Sequence, residues 1–335
     1  MKRLMGLIVS IALLASMGIL AGCTGTPKAN SSESPNLASS VTEVANSENN
    51  EVEANKWPRT YVDVLGREVV LEKKPEKVAL LFFRNFEHLF LLDESPVVAT
   101  DINVLDEWES LAPYKNNAIE DIGSITSPNI EKLLEIEPDL IIAVSSRYES
   151  YNGQLDKIAP VITVDSNENN WQGALREYGK IFGKEQKAEE EIARIEGFVA
   201  ESREQLQAYS DKTFGVTMLG DKQYWAFTTQ FVYNKDNGLG LNPPTPYVDM
   251  SSKGEVISME GLAAMDPDYM FVADIGGSSE KLNSYLKALE ADSVWNSLQS
   301  VKDKHMFPLD SSIAAGGPLA IELGVQTIVE NILSQ

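Results

Sequence analysis

Residues 129–144 read NIEKLLEIEPDLIIAV, and residues 258–273 read SMEGLAAMDPDYMFVA; the two segments align without a gap at an offset of 129. Glu131 matches Glu260, Leu133 matches Leu262, and Pro138-Asp139 matches Pro267-Asp268; Glu137 is answered by Asp266. Each unit reads as a short helix, a Pro-Asp stop and a buried strand. In the first unit Ile130, Leu133 and Leu134 share one helical face. One such unit is ordinary in an α/β chain. Two in register predict two lobes of similar topology.

The stretches around the repeat support this. Val78–Phe83, Val97–Thr100, Leu140–Val144 and Val161–Val164 read as short buried strands separated by helical or polar segments. After the first unit, Thr213–Leu219, Gln223–Phe227, Met270–Ala273 and His305–Leu309 continue the series, and a helix closes the chain from about Pro318 to Leu333. This alternation predicts in each lobe a mainly parallel sheet flanked by helices. Between the lobes, Lys184 to Tyr209 carries Ala188, Ile192, Ile195, Val199, Leu206 and Tyr209 on one stripe of a charged helix with no Pro. Such a helix spans roughly 39 Å, more than one lobe needs. We read it as a strut joining the lobes, giving an N-terminal lobe at 57–183, an interlobe helix at 184–210 and a C-terminal lobe at 211–335.

The first 56 residues belong to neither lobe. Lys2 and Arg3 precede an apolar run from Leu4 to Leu20, the pattern of a secretory signal at 1–22. Leu20-Ala21-Gly22-Cys23 resembles the lipobox of bacterial lipoproteins, which implies lipidation of Cys23 and anchoring to a cell membrane, at a Gram-positive surface in preference to a periplasm. An uncleaved anchor is the alternative, with the same sidedness. Residues 23–56 are rich in Ser, Asn, Glu and Ala without an aromatic, and read as a disordered tether.

Composition removes several function classes. Lys plus Arg is 28 against 50 Asp plus Glu, a formal charge of −22, which argues against nucleic acid as a partner. Loss of residues 1–22 leaves 26 basic residues against 50 acidic, or −24. One Cys and two His leave no disulfide framework and no Cys/His zinc cluster. No Gly-x-Ser-x-Gly elbow or phosphate-binding Gly-x-x-x-x-Gly-Lys loop occurs, and no carboxylate is singled out by a motif, so no catalytic residue is assigned.

The opening Asp63-x-x-Gly66, the two Glu-x-x-x-x-x-x-Pro-Asp units and Leu155-x-x-Ile158-Ala159-Pro160 together resemble the iron-siderophore substrate-binding proteins of ABC transporters, the subclass with a rigid interlobe helix. Trp171 before the long helix, Val294-Trp295 before the last strand and Gly316-Gly317-Pro318-Leu319 opening the last helix extend the likeness over residues 57–335. Arg147, just after a strand, is closest to the iron-dicitrate and hydroxamate branch. Arg84-Asn85-Phe86-Glu87-His88 and Gly238–Pro244 depart from the family pattern. The resemblance implies a monomeric receptor that hands a ferric-siderophore complex to a permease dimer. Iron held by the siderophore's own oxygens needs no metal ligand or cofactor from the protein. It also implies one acidic docking residue per lobe, and the repeat assigns those roles to Glu131 and Glu260. Favourable placement of an acid in the first turn of a helix is the competing explanation of the pair.

In open parallel sheets ligands sit beyond the carboxyl ends of the strands. That places Arg84, Arg147, Tyr148 and Tyr151 as candidate ligand contacts, Arg being the residue for anionic oxygens. Trp171, Tyr224 and Trp225 are aromatic candidates for a bulky chelate, with Ser311 and Ser312 as weaker ones. Each has a structural alternative, a solvated Arg or a core aromatic. His88 and His305 keep a haem-binding reading open, cobalamin is a further alternative within the fold, and an exported enzyme or adhesion lipoprotein is the alternative from another class.

Overall fold

The computed structural model describes residues 56–335 apart from 152, 167–169, 221–222, 228, 246–253 and 275–278. The signal segment, Cys23 and nearly all of the tether lie outside the described residues. Strands are numbered in chain order, and so are the longer α-helices.

The first lobe opens with a hairpin of β1 (Arg59–Val62) and β2 (Glu68–Leu71). Gly66 makes its turn with φ +76°, a conformation open to glycine at little cost. There follow β3 (Val78–Leu80), α1 (Phe86–Leu91), β4 (Val98–Ala99), β5 (Glu120–Asp121), β6 (Gly123–Ser124), β7 (Ser127–Pro128), α2 (Ile130–Ile136), β8 (Leu140–Val144), β9 (Val161–Val164) and α3 (Trp171–Phe182). Its main sheet has the order β5-β4-β3-β8-β9, every pairing parallel. After α4 (Glu185–Gln205) the second lobe contributes β10 (Phe214–Gly220), β11 (Gln223–Ala226), β12 (Glu255–Ile257), α5 (Met259–Met265), β13 (Tyr269–Asp274), α6 (Ser279–Leu289), β14 (Met306–Pro308) and α7 (Pro318–Leu333). Its sheet order is β12-β11-β10-β13-β14. The central pairings β10–β13 and β13–β14 are parallel, whereas β11 and β12 join antiparallel. Two residues separate β10 from β11, too few for a crossover, so this half of the sheet is a meander.

The repeat reappears as geometry. Asn129 caps α2 by accepting from the Lys132 N–H, and Ser258 caps α5 by accepting from the Gly261 N–H. Both helices end on an acidic residue in the left-handed region, Glu137 at φ 52° and Asp266 at φ 34°. The Asp of each Pro-Asp pair then ties its strand to the central neighbour. Asp139 accepts from the Glu76 and Lys77 N–H groups at the start of β3, and Asp268 accepts from the N–H and hydroxyl of Thr213 at the start of β10. The motif therefore sets where β8 and β13 begin against their partners.

Ala188, Ile192, Ile195 and Val199 of α4 are buried in one apolar cluster that draws on both lobes, with Leu80, Tyr178 and Phe182 from the first and Phe214, Val325 and Ile328 from the second. The outer faces of the two sheets have their own clusters, around Ile141 and Leu155 in the first lobe and around Val272 and Trp295 in the second. The apolar run from Val78 is shorter as a strand than its composition implies. β3 stops at Leu80, and the chain turns through a 3-10 helix, Phe83–Asn85. Leu81 is fully buried and Phe82 nearly so, and burial makes the turn as apolar as the strand.

Candidate functional site

The carboxyl ends of the two central sheets approach one another. In the first lobe, the turn after β3 carries Phe83 and Arg84, both half-buried. The Phe83 ring packs edge-on against Trp108 at 5.6 Å, and the Arg84 guanidinium lies 6.0 Å from the Phe83 centroid. Arg84 Nη1 also donates to the Ala314 carbonyl at 3.5 Å, which crosses to the segment after β14 in the second lobe. There Ser311 donates its hydroxyl to the carbonyl of Asp274, the last residue of β13. Arg147 stands in a short helical turn directly after β8, exposed, and among the described residues no carboxylate pairs with its side chain. Two guanidiniums after strand ends, the Phe83–Trp108 pair and the Ser311 hydroxyl suit an anionic, oxygen-rich, bulky ligand.

Of the other candidates from sequence, Tyr148, Tyr151, Trp171 and Tyr224 are placed elsewhere, while Trp225 pairs with Met218 near the carboxyl end of β10. The Tyr148 hydroxyl donates to Asp156, and its ring lies under Arg67 at 4.1 Å, within a network built on Asp63. Tyr151 is buried and donates to the Ile125 carbonyl at 3.0 Å. Trp171 is buried at the start of α3. In β11 the alternation of a strand separates the aromatic pair. Tyr224 packs into the outer cluster with Leu219 and Leu262, while Trp225 packs against the cluster that contains α4 and α7. Arg84, Arg147 and Trp225 thus remain candidates on geometry. Phe83 and Trp108 were missed by sequence reasoning, Phe83 because it reads as the end of an apolar strand.

Neither histidine reaches the cleft ends of the strands. His88 is buried and stacked on Tyr178 at 5.5 Å, and burial pushes its pKa down to about 4, so the ring is neutral near pH 7. His305 precedes β14, at the amino end of that strand, where it stacks on Tyr269 at 4.4 Å. Glu131 and Glu260 are both exposed in the first turns of α2 and α5. Backbone and hydroxyl hydrogen bonds, the latter from Ser258, hold the Glu260 carboxyl below its ordinary value. Among the described residues no group of three His, Cys, Asp or Glu is placed to hold a metal ion, and no helix is long and apolar enough to cross a membrane.

Two α/β lobes, one long connecting helix and strand-end segments that meet through the Arg84–Ala314 hydrogen bond define a two-lobed solute receptor. The chain belongs to the periplasmic binding protein family, whose profile matches residues 78–313. It is similar to the petrobactin-binding protein YclQ of Bacillus subtilis (strain 168), 30% identical over 254 residues that cover 73% of this chain and 78% of the relative. The probable siderophore-binding lipoprotein YfiY of the same organism is 27% identical over 282 residues, 81% of this chain and 86% of the relative. The crystal structure of YclQ superposes with a TM-score of 0.68 at 26% identity, covering 83% of this chain and 99% of that one.

Proposed function

We propose that this chain is an extracytoplasmic, lipid-anchored receptor that captures a ferric-siderophore complex and delivers it to an ABC permease for iron uptake. The observation that carries the reading is Arg147, an exposed guanidinium at the carboxyl end of a central strand that, among the described residues, has no carboxylate partner. Arg84, Phe83, Trp108 and Trp225 complete the contact set, with the arginines toward chelate oxygens and the rings toward its apolar body. Iron is cargo in this reading, coordinated by the siderophore. The names of the relatives, petrobactin-binding protein and siderophore-binding lipoprotein, support both the ligand class and the anchor at Cys23. Glu131 and Glu260, placed alike in the two lobes, are the residues by which the receptor docks on a two-fold permease.

Titration of intrinsic tryptophan fluorescence against ferric catecholate, hydroxamate and citrate complexes, haem and cobalamin tests the proposal. Saturable quenching by one ferric chelate class is expected. Saturable binding of haem or cobalamin alone would overturn it.

A further inference from the structure

The carboxylate of Glu87 is buried where the two lobes meet. Glu87 lies on α1 of the first lobe, yet its Oε2 accepts from the N–H groups of Leu319 at 2.8 Å and Ala320 at 3.1 Å, in the first turn of α7. Its Oε1 accepts from the Ser110 hydroxyl at 3.0 Å, on the 3-10 turn Glu109–Tyr114. The approach to α7 is close. A Cβ at position 317 would stand 2.1 Å from Oε2, so Gly317 is what admits the carboxylate. A second link runs alongside, from the Glu109 N–H to Asp310 Oδ2 at 3.2 Å.

The groups around Glu87 offer an anion three donors, two of them at the N-terminus of α7, but among the described residues no cation pairs with it. On its own segment His88 is neutral near pH 7, and Arg84 turns to the Ala314 carbonyl. Tyr114 is the titratable group on the 3-10 turn that feels Glu87, and Asp310 adds a like charge from the second lobe. On α7 Glu322 is bound by Arg194 of α4, which also holds Glu191. Burial outweighs the three donors and pushes the Glu87 carboxyl up to about 7, with Asp310 acting in the same direction.

We propose that Glu87 is a proton-operated latch between the lobes: neutral, it holds α1, the Glu109–Tyr114 turn and α7 together, and ionised, it drives that contact toward opening. The physical reason is that burial without a cation penalises the anion, and at Glu87 this outweighs the α7 N–H groups and the Ser110 hydroxyl, which favour it. The latch reaches the cleft directly. Arg84 sits one turn before Glu87, and Trp108 immediately precedes the 3-10 turn that Glu87 grips. Glu87 is therefore a positioning residue for the cleft, whatever ligand the cleft takes.

Amide hydrogen exchange on the wild-type protein tests this, with rates corrected for the intrinsic pH dependence. Protection of the Leu319 and Ala320 amides is expected to fall about ten- to thirtyfold between pH 5.5 and 7.5, because the opened carboxyl regains a pKa near 4.5. Glu87→Gln reproduces the neutral form, with its carbonyl toward α7 and its NH2 toward Ser110, and its protection is expected to stay flat over that range. Flat protection in the wild type, or an equal fall in the variant, would overturn the latch. Should the variant not fold, carbon-13 carboxyl titration of the wild type decides. A glutamate carboxyl titrating near neutral pH, in step with the exchange change, supports the latch, and all glutamates titrating below pH 5 overturns it.

Discussion

Asp63→Ala is expected to be among the most damaging single changes outside the hydrophobic core. The Asp63 side chain is buried beside the first-lobe hairpin, and its two oxygens serve the turn, a guanidinium and a strand together. Oδ1 accepts from the Leu65 and Arg67 N–H groups at 3.0 and 2.9 Å. Oδ2 accepts from Arg67 Nη2 at 2.7 Å and from the Thr163 hydroxyl on β9 at 2.6 Å. Removing the carboxylate leaves the Thr163 hydroxyl and the Arg67 charge without this partner. Breaking a buried pair costs about 3–5 kcal/mol, and because the Arg67 side chain keeps 30% exposure and regains some water, the low end, about 3 kcal/mol, applies. At roughly 2–4 °C per kcal/mol for a domain of this size, Tm should fall by about 6–12 °C at pH 7. The effect should depend on pH. Burial alone raises the carboxyl, but the Thr163 hydroxyl, the Arg67 guanidinium and the backbone donors outweigh it and hold it below its ordinary value. A depressed carboxyl contributes stability above its unfolded pKa, near 4, and loses it as the pH falls through the folded value. Thermal melts of wild type and variant should therefore converge toward pH 3. A Tm difference under 1 °C at pH 7, or one that does not shrink in acid, would refute the argument.

Arg147→Ala should weaken the ferric ligand that binds by about one to two decades in Kd, from about 1.5–3 kcal/mol of charge-assisted hydrogen bonding; unchanged affinity in the fluorescence titration removes Arg147 from the site. The double variant Glu131→Ala/Glu260→Ala should bind ligand normally yet fail to support uptake, since exposed charges govern association more than folding; uptake at the wild-type rate with matched protein levels places docking elsewhere. Cys23→Ala should release the protein to the medium or block its processing, and retention in the membrane fraction at the mature mass contradicts lipidation there. The shared core around Ile192, Ile195 and Val199 should limit lobe movement on binding to a few degrees; a large compaction in small-angle scattering on adding ligand contradicts that rigidity.

Local pattern determined much of this protein. The paired units at 129–144 and 258–273 reveal two related lobes because helix caps, left-handed stops and Pro-Asp clamps are built from neighbours in sequence. The stripe on α4 is legible for the same reason, since a helix repeats its buried face every three or four residues. The guanidiniums at the strand ends could be nominated because sheet polarity tells which end of a strand faces the ligand. Only the tertiary structure decided which nominees remain. Tyr148 and Tyr151 follow β8 as closely as Arg147 does, yet partners from other segments, Asp156 and Arg67 for the one and Ile125 for the other, take up their hydroxyls. Tyr224 and Trp225 differ by one position on a strand and so by a whole face of the sheet. The contact between Glu87 and α7 joins residues 232 and 233 positions apart. No periodicity or spacing encodes it, because a buried carboxylate acquires its partners only when the lobes close around it.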